Sequence, residues 1–205
     1  ATVYGDVWLV GDLDSDAPSW TRYATGMYQP LGLRVVDGKV VVIERGQLTI
    51  LEDRNGDDQA DVYRCLNNRW HTTGQPHAFD LCLEVDGDGN FYFFKTGAWH
   101  TPTGGCLLKI AADGSGDPAI FATGFRHANG MGISPDGQLS GAGQQGNWIP
   151  ATRLNLYQDG GFYGMMNTHH RDPAPKSYHR PMMWFPLGAD PSGASQASID
   201  DSGSP

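Results

Sequence analysis

The sequence predicts an all-β chain, a β-propeller of four-stranded blades. Three observations carry that expectation. Short apolar runs of strand composition fill the chain, and no segment longer than a turn or two keeps the 3.6-residue apolar period of a helix. The runs group into cycles of roughly 45 to 50 residues with about four strands each, the period of propeller blades. A shared phrase of apolar strand, Asp-Gly turn and apolar strand recurs as Val36-Asp37-Gly38-Lys39, Gly87-Asp88-Gly89-Asn90 and Pro135-Asp136-Gly137-Gln138. A β-sandwich would alternate in the same way, but its strands would not gather into fours.

In chain order, residues 1–28 begin in a strand pattern that runs to Val10. Residues 29–75 hold a hairpin, Leu33–Val36 and Lys39–Ile43 about the two-residue turn Asp37-Gly38, followed by strands at Gln47–Leu51 and Val62–Cys65. Residues 76–126 supply Leu81–Val85, Phe91–Phe94, Cys106–Ile110 and Ala119–Ala122. Residues 127–188 start with Gly130–Ile133 and the turn Ser134–Gly137, then run through Leu154–Tyr157 to Gly161–Gly164. The remainder, 189–205, is rich in Ser, Gly and Asp and reads as incomplete. These cycles do not close a ring, so further C-terminal blades or a partner chain are expected to complete it.

Composition narrows the functions. With 14 Lys and Arg against 23 Asp and Glu the net charge is −9, which disfavours a phosphate-tracking face and hence nucleic acid. No apolar run approaches the roughly 20 residues that span a bilayer. The 28 Gly and 13 Pro lie between apolar segments and aromatics make up 11%, so the chain reads as folded and turn-rich rather than disordered. Three cysteines allow one bridge at most; Cys82 and Cys106, on nearby strands, either pair or are buried small hydrophobes like Cys65. The chain opens without Met, which leaves open a removed secretory signal or excision from a longer chain. Together with the acidic composition this gives a secreted or periplasmic expectation.

The densest acidic stretch is Asp53-Arg54-Asn55-Gly56-Asp57-Asp58-Gln59-Ala60-Asp61. Asp53, Asn55, Asp57, Asp61 and the Gln59 carbonyl alternate as Ca²⁺ ligands would, although Asp58 replaces the usual turn glycine and Arg64 the closing acid of an EF-hand. The other reading is an acidic hairpin turn. Asp12, Asp14 and Asp16 read as a plain loop, and Asp86 and Asp88 as hairpin residues. His77 and His127, the latter beside Arg126, suit proton abstraction and the holding of an anion. His169, His170 and His179 fall in a Pro-rich stretch that reads as a surface loop, and Trp99, Trp148 and Trp184 as sugar-stacking or packing residues.

Taken in order, the stretches His77–Leu81, Asp88–Tyr92, Gly104–Ile110, Gly124–Met131, Pro135–Gly137, Gln144–Asn147, Leu154–Leu156 and Gly160–Gly164 resemble the soluble glucose/sorbosone dehydrogenases. Those are six-bladed propellers that use pyrroloquinoline quinone. With Gln29–Leu33, Asp53–Asp57 and His170–Pro173, the chain looks closer still to the propeller of large secreted bacterial proteins described as membrane-bound dehydrogenases or haem-binding proteins. The resemblance implies hydride transfer from a sugar or alcohol hydroxyl to a calcium-bound quinone. It places His77 as the base, Arg126 beside the quinone and the backbone carbonyls of Gln145, Gly146 and Asn147 on the calcium. His127 stands at a cofactor position where that family has Asn, and Ala78-Phe79-Asp80 replaces a Gly-rich run. The cationic residues that clamp the quinone would lie beyond Pro205. A non-catalytic propeller that binds carbohydrate or a partner subunit, with calcium serving structure alone, is the alternative reading.

Overall fold

The computed structural model describes residues 1–97, 100–145, 151–190, 192–194 and 196. It is an all-β partial propeller of four sheets, and its one helical element among the described residues is a single 3-10 turn, Met166–Thr168. The first sheet pairs β1 (Val7–Gly11) with β2 (Ser19–Ala24). The second runs β3 (Gly32–Val36), β4 (Lys39–Glu44), β5 (Gln47–Glu52), β6 (Val62–Asn67) in sequence order. The third runs β7 (Asp80–Val85), β8 (Phe91–Lys95), β9 (Cys106–Ile110), β10 (Ala119–Thr123), and the fourth begins β11 (Met131–Ile133), β12 (Leu139–Ala142), β13 (Arg153–Leu156).

Local chemistry explains these meanders. Asp37 and Gly38 both take positive φ, 48° and 74°, as a two-residue primed turn requires, so Leu33 and Val42 meet across an unbroken ladder. At the β7–β8 hairpin the Asp86 carboxylate accepts the N–H groups of Asp88 and Asn90 and the Tyr92 hydroxyl, which confirms that acid as a turn-former.

Sheets stack face to face, and the period of two along a strand divides each between two cores. In wholly buried β8, Phe91 and Phe93 join Val41, Ile43, Ile50 and Trp70 on the side of the second sheet. Tyr92 and Phe94 face the other way, into a cluster with Phe125, Tyr157 and Tyr163. A third core, Val7, Tyr23, Met27, Val42 and Leu51, joins the first sheet to the second. The leading strands converge: β7 packs against both β3 and β11. There the Cys82 N–H donates to the Leu31 carbonyl, and the Gly130 N–H donates to the Cys82 Sγ. A Cβ on Gly32 would stand 2.5 Å from the Cys82 carbonyl carbon, so only glycine admits this approach.

Two expectations change. The stretch after β13 does not close the fourth sheet: β14 (Gly161–Phe162) crosses to the third sheet and pairs in parallel with β10. Its anchor is Tyr163, fully buried and stacked on Phe125 at 5.2 Å, with its hydroxyl donating to the Leu156 carbonyl and its N–H to Thr123. β15 (Met183–Trp184) fills the vacated edge beside β13. Of the two readings of the cysteines the unpaired one holds, but Cys65 is exposed rather than buried; Cys106 is fully buried, and desolvation pushes its thiol up to about 12.

Candidate functional site

Because β3–β6, β7–β10 and β11–β13 each run as an antiparallel meander, their connections alternate between two ends. The segments leading into β7 and β11 share one end with the β4–β5, β8–β9 and β12–β13 connections. His77, Arg126, His127 and Gln145 all lie at that end. The Asp53–Asp61 turn joins β5 to β6 and so lies at the opposite one.

The structure brings the first group together. The rings of His77 and His127 meet edge to face, with centroids 5.8 Å apart. Arg126 donates through one Nη to the Gln145 carbonyl at 3.0 Å, while its buried Nε has no hydrogen-bond acceptor among the described residues. Burial, followed by the neighbouring His77 and Arg126, holds the His127 imidazole below its ordinary pKa, so it is disposed to stay neutral. His77 is exposed and His127 half-buried. Gly146, Asn147, Trp99 and Trp148 lie outside the described residues.

His77 is positioned from beneath. Arg45, at the β4–β5 turn, is only 9% exposed; it donates to the carbonyls of Thr73 and Gln75 and to Gln29 Oε1, and its guanidinium lies over the rings of Tyr28 and Phe79. The Lys95 ammonium meets Asp80 at 2.8 Å with both side chains fully buried, and Asp80 also accepts the Gly46 N–H and the Trp70 indole N–H. Lys95 reaches the Ala78 carbonyl at 3.4 Å, and the Thr96 hydroxyl lies 3.4 and 3.2 Å from the carbonyls of His77 and Phe79. None of Arg45, Asp80, Lys95 or Thr96 figured among the sequence candidates. One signal was present: Lys95 ends an aromatic run, and in register it faces Asp80.

Gly97 completes the support. Its φ is +60°, and a Cβ there would stand 2.2 Å from the His77 carbonyl oxygen. Gly97→Ala should therefore displace the 75–78 backbone and cost at least about 1–2 kcal/mol from the left-handed conformation alone. A lowered melting temperature with shifted His77 imidazole resonances checks this; unchanged resonances would contradict it.

The calcium expectation for the acidic turn is not shown. Among the described residues no group of three or more His, Cys, Asp or Glu is arranged to hold a metal ion. Asp53 accepts the N–H groups of Asn55, Gly56 and Asp58, and those bonds hold its carboxyl below the usual range. Asn55, Asp57 and Asp61 in turn accept the N–H groups of Asp57, Gln59 and Arg54. Asp58 does adopt the glycine-like φ of +64°. The turn is thus built by side chain–backbone bonds. The three histidines of the Pro-rich stretch also bind backbone: His170 Nε2–H donates to Gly104, while His169 and His179 accept through Nδ1 from Arg171 and Phe162.

Comparison with known proteins supports the fold. No family model matches the chain, and no curated protein matches it in sequence. Solved structures do. A Thermus thermophilus oxidoreductase described as a glucose dehydrogenase superposes with a TM-score of 0.67 at 17% identity, covering 91% of this chain and 65% of that one. The pyrroloquinoline-quinone domain of Coprinopsis cinerea pyranose dehydrogenase gives 0.58 at 11%, over 86% and 53%. The soluble aldose sugar dehydrogenase of Escherichia coli gives 0.54 at 14%, over 80% and 58%. The chain therefore has the propeller fold of these sugar dehydrogenases and spans about half to two thirds of their length.

Proposed function

We propose that this chain is the site-bearing part of a quinone-dependent sugar or alcohol dehydrogenase. The supporting observation is the convergence of His77, His127 and Arg126 from the segments entering two successive sheets, with the Gln145 carbonyl beside them. The residues suit the cofactor, since an aromatic dione bearing carboxylates would give the unmatched Arg126 Nε–H an acceptor and let the half-buried His127 ring pack against it. Arg126 and His127 would hold the quinone and the 145–147 carbonyls its calcium; when bound, the quinone supplies the two-electron acceptor.

The chain's own residues do the rest. His77, exposed at the mouth of the site, accepts the proton of a substrate hydroxyl through a ring nitrogen as the carbon-bound hydride departs. Arg45 and Thr96, through the backbone on either side, limit where that ring can stand. Burial, followed by the nearby His77 and Arg126, opposes a positive charge on His127.

Reconstitution tests the reading. Purified chain, joined to whatever completes its ring, should bleach a redox dye with an aldose only after addition of quinone and a divalent cation. Quinone fluorescence should quench on binding to wild type and not to Arg126→Ala. Sugar binding without quinone binding would replace this proposal with a non-catalytic lectin-like propeller.

A further inference from the structure

From His77 a continuous row of side chains runs across the same end of the molecule. The His77 ring meets Phe79 edge to face with centroids 6.3 Å apart, and the Arg45 guanidinium carbon lies 5.9 Å from the Phe79 ring and 5.6 Å from that of Tyr28. Tyr28 is 58% exposed although its backbone is fixed: its N–H donates to Glu44 Oε2 at 2.8 Å and its carbonyl accepts the Arg45 N–H at 2.9 Å. The ring therefore rests on a nearly buried guanidinium and leaves more than half of its surface open. Arg45 also borders a cleft of about 410 Å³, lined in part by Met27, Glu44, Gln47, Thr49, Tyr63 and Thr72.

Exposed aromatic area stabilises whatever apolar surface covers it, and a ring already pinned loses little freedom in the act. Sugar rings present C–H groups on their faces, which pack flat on an aromatic ring, and hydroxyls at their rims, which need polar partners. The cleft supplies those partners. The Glu44 carboxylate accepts from the Thr49 hydroxyl and the Tyr28 N–H and has lone pairs to spare, while Gln47 Nε2 donates to Thr49 Oγ1 and its carboxamide oxygen can accept. Arg45 is committed to Thr73, Gln75 and Gln29, and Glu44 repels an anion, so the cleft suits a neutral polyol. Because Arg45 stands between Tyr28 and the Phe79–His77 pair, a sugar on Tyr28 is not the unit whose hydroxyl meets His77. We infer, resting on the dehydrogenase reading of His77, that Tyr28 and this cleft form a subsite for a second sugar unit. The substrate is then a neutral disaccharide or longer chain, oxidised on its terminal unit.

Two substitutions at an exposed position separate stacking from mere shielding of Arg45. Tyr28→Phe keeps the flat ring, whereas Tyr28→Leu keeps an apolar cover over the guanidinium and removes the ring. In the quinone-free protein, joined to whatever completes its ring of blades, maltose or cellobiose should shift the Tyr28 ring resonances and show saturation transfer from protein to sugar. Affinity for that disaccharide should fall about 3–10-fold in Tyr28→Leu and about twofold at most in Tyr28→Phe. With quinone bound, the disaccharide KM should rise by the same factor in Tyr28→Leu with a smaller change in kcat, and the wild-type preference for disaccharide over glucose should narrow. Tyr28 resonances that neither disaccharide moves overturn the subsite, and so does equal disaccharide affinity in wild type and Tyr28→Leu. Disaccharide bound at Tyr28 without dye reduction would uphold the subsite and fail the dehydrogenase reading alone.

Discussion

Lys95→Met should destabilise the fold by about 3–5 kcal/mol, the cost of breaking a buried ion pair from one side. The side chains have similar length, so packing changes little, and the loss is electrostatic: Asp80 remains fully buried among the Gly46 and Trp70 N–H groups without a counter-charge. Desolvation already raises the Asp80 pKa against the opposing pull of Lys95, and removing the ammonium must raise it further. The sign of the pH dependence follows. With a folded-state pKa above the unfolded one, the native state binds the extra proton. Both folded states hold the Asp80 proton at low pH, so the deficit is smallest there, grows once pH rises past the wild-type folded-state pKa, and is complete above the higher folded-state pKa of the variant. Urea melts of both proteins at a series of pH values measure this; a deficit that stays constant or shrinks with rising pH would show that the pair is not what Lys95 supports. Because Lys95 also reaches the Ala78 carbonyl, the 75–79 backbone should lose protection from hydrogen exchange before the rest of the third sheet.

The propeller was legible because its signal is local and repeated. Asp37-Gly38 forces a turn wherever it occurs, and Phe91–Phe94 can only be a strand buried on both faces. The strands that escaped notice lack such marks. In β2, Ser19–Arg22 are all exposed; β12 is Leu-Ser-Gly-Ala; β15 is a Met-Trp pair in a Pro-rich stretch. β14 was visible as a segment but not as a partner of β10, since the edge a strand joins depends on where Tyr163 buries its ring. At the site, His77, Arg126 and His127 were readable as residue types. What holds them was not: Arg45 reaches from another sheet, and Gly97 matters through the space it leaves for the His77 carbonyl. In the acidic turn the alternating oxygens read from the sequence are seen serving backbone N–H groups.

His77→Ala should lower kcat of the quinone-loaded protein by about 10²–10⁴-fold, the usual contribution of a positioned general base, with a smaller effect on KM. Stability should barely change, since the side chain is exposed and its backbone carbonyl, the part engaged by Thr96, is retained. A second readout needs no activity. The proximity of His77 helps hold the His127 pKa down, so its removal should raise that pKa toward the ordinary histidine value, while burial and Arg126 keep it from recovering fully. In the parent, the depressed pKa means that the unfolded chain takes up a proton first. The stability tied to a neutral His127 is present above the unfolded-state pKa and is lost as pH falls toward the folded one. In His77→Ala that acid-side loss should shrink, and imidazole resonances should titrate at higher pH. An active His77→Ala protein with a normally shifted His127 would leave the ring pair intact as geometry and strip His77 of its role as base. If instead the His127 titration does not move, the two rings are not coupled, and the site proposed from their meeting fails with them.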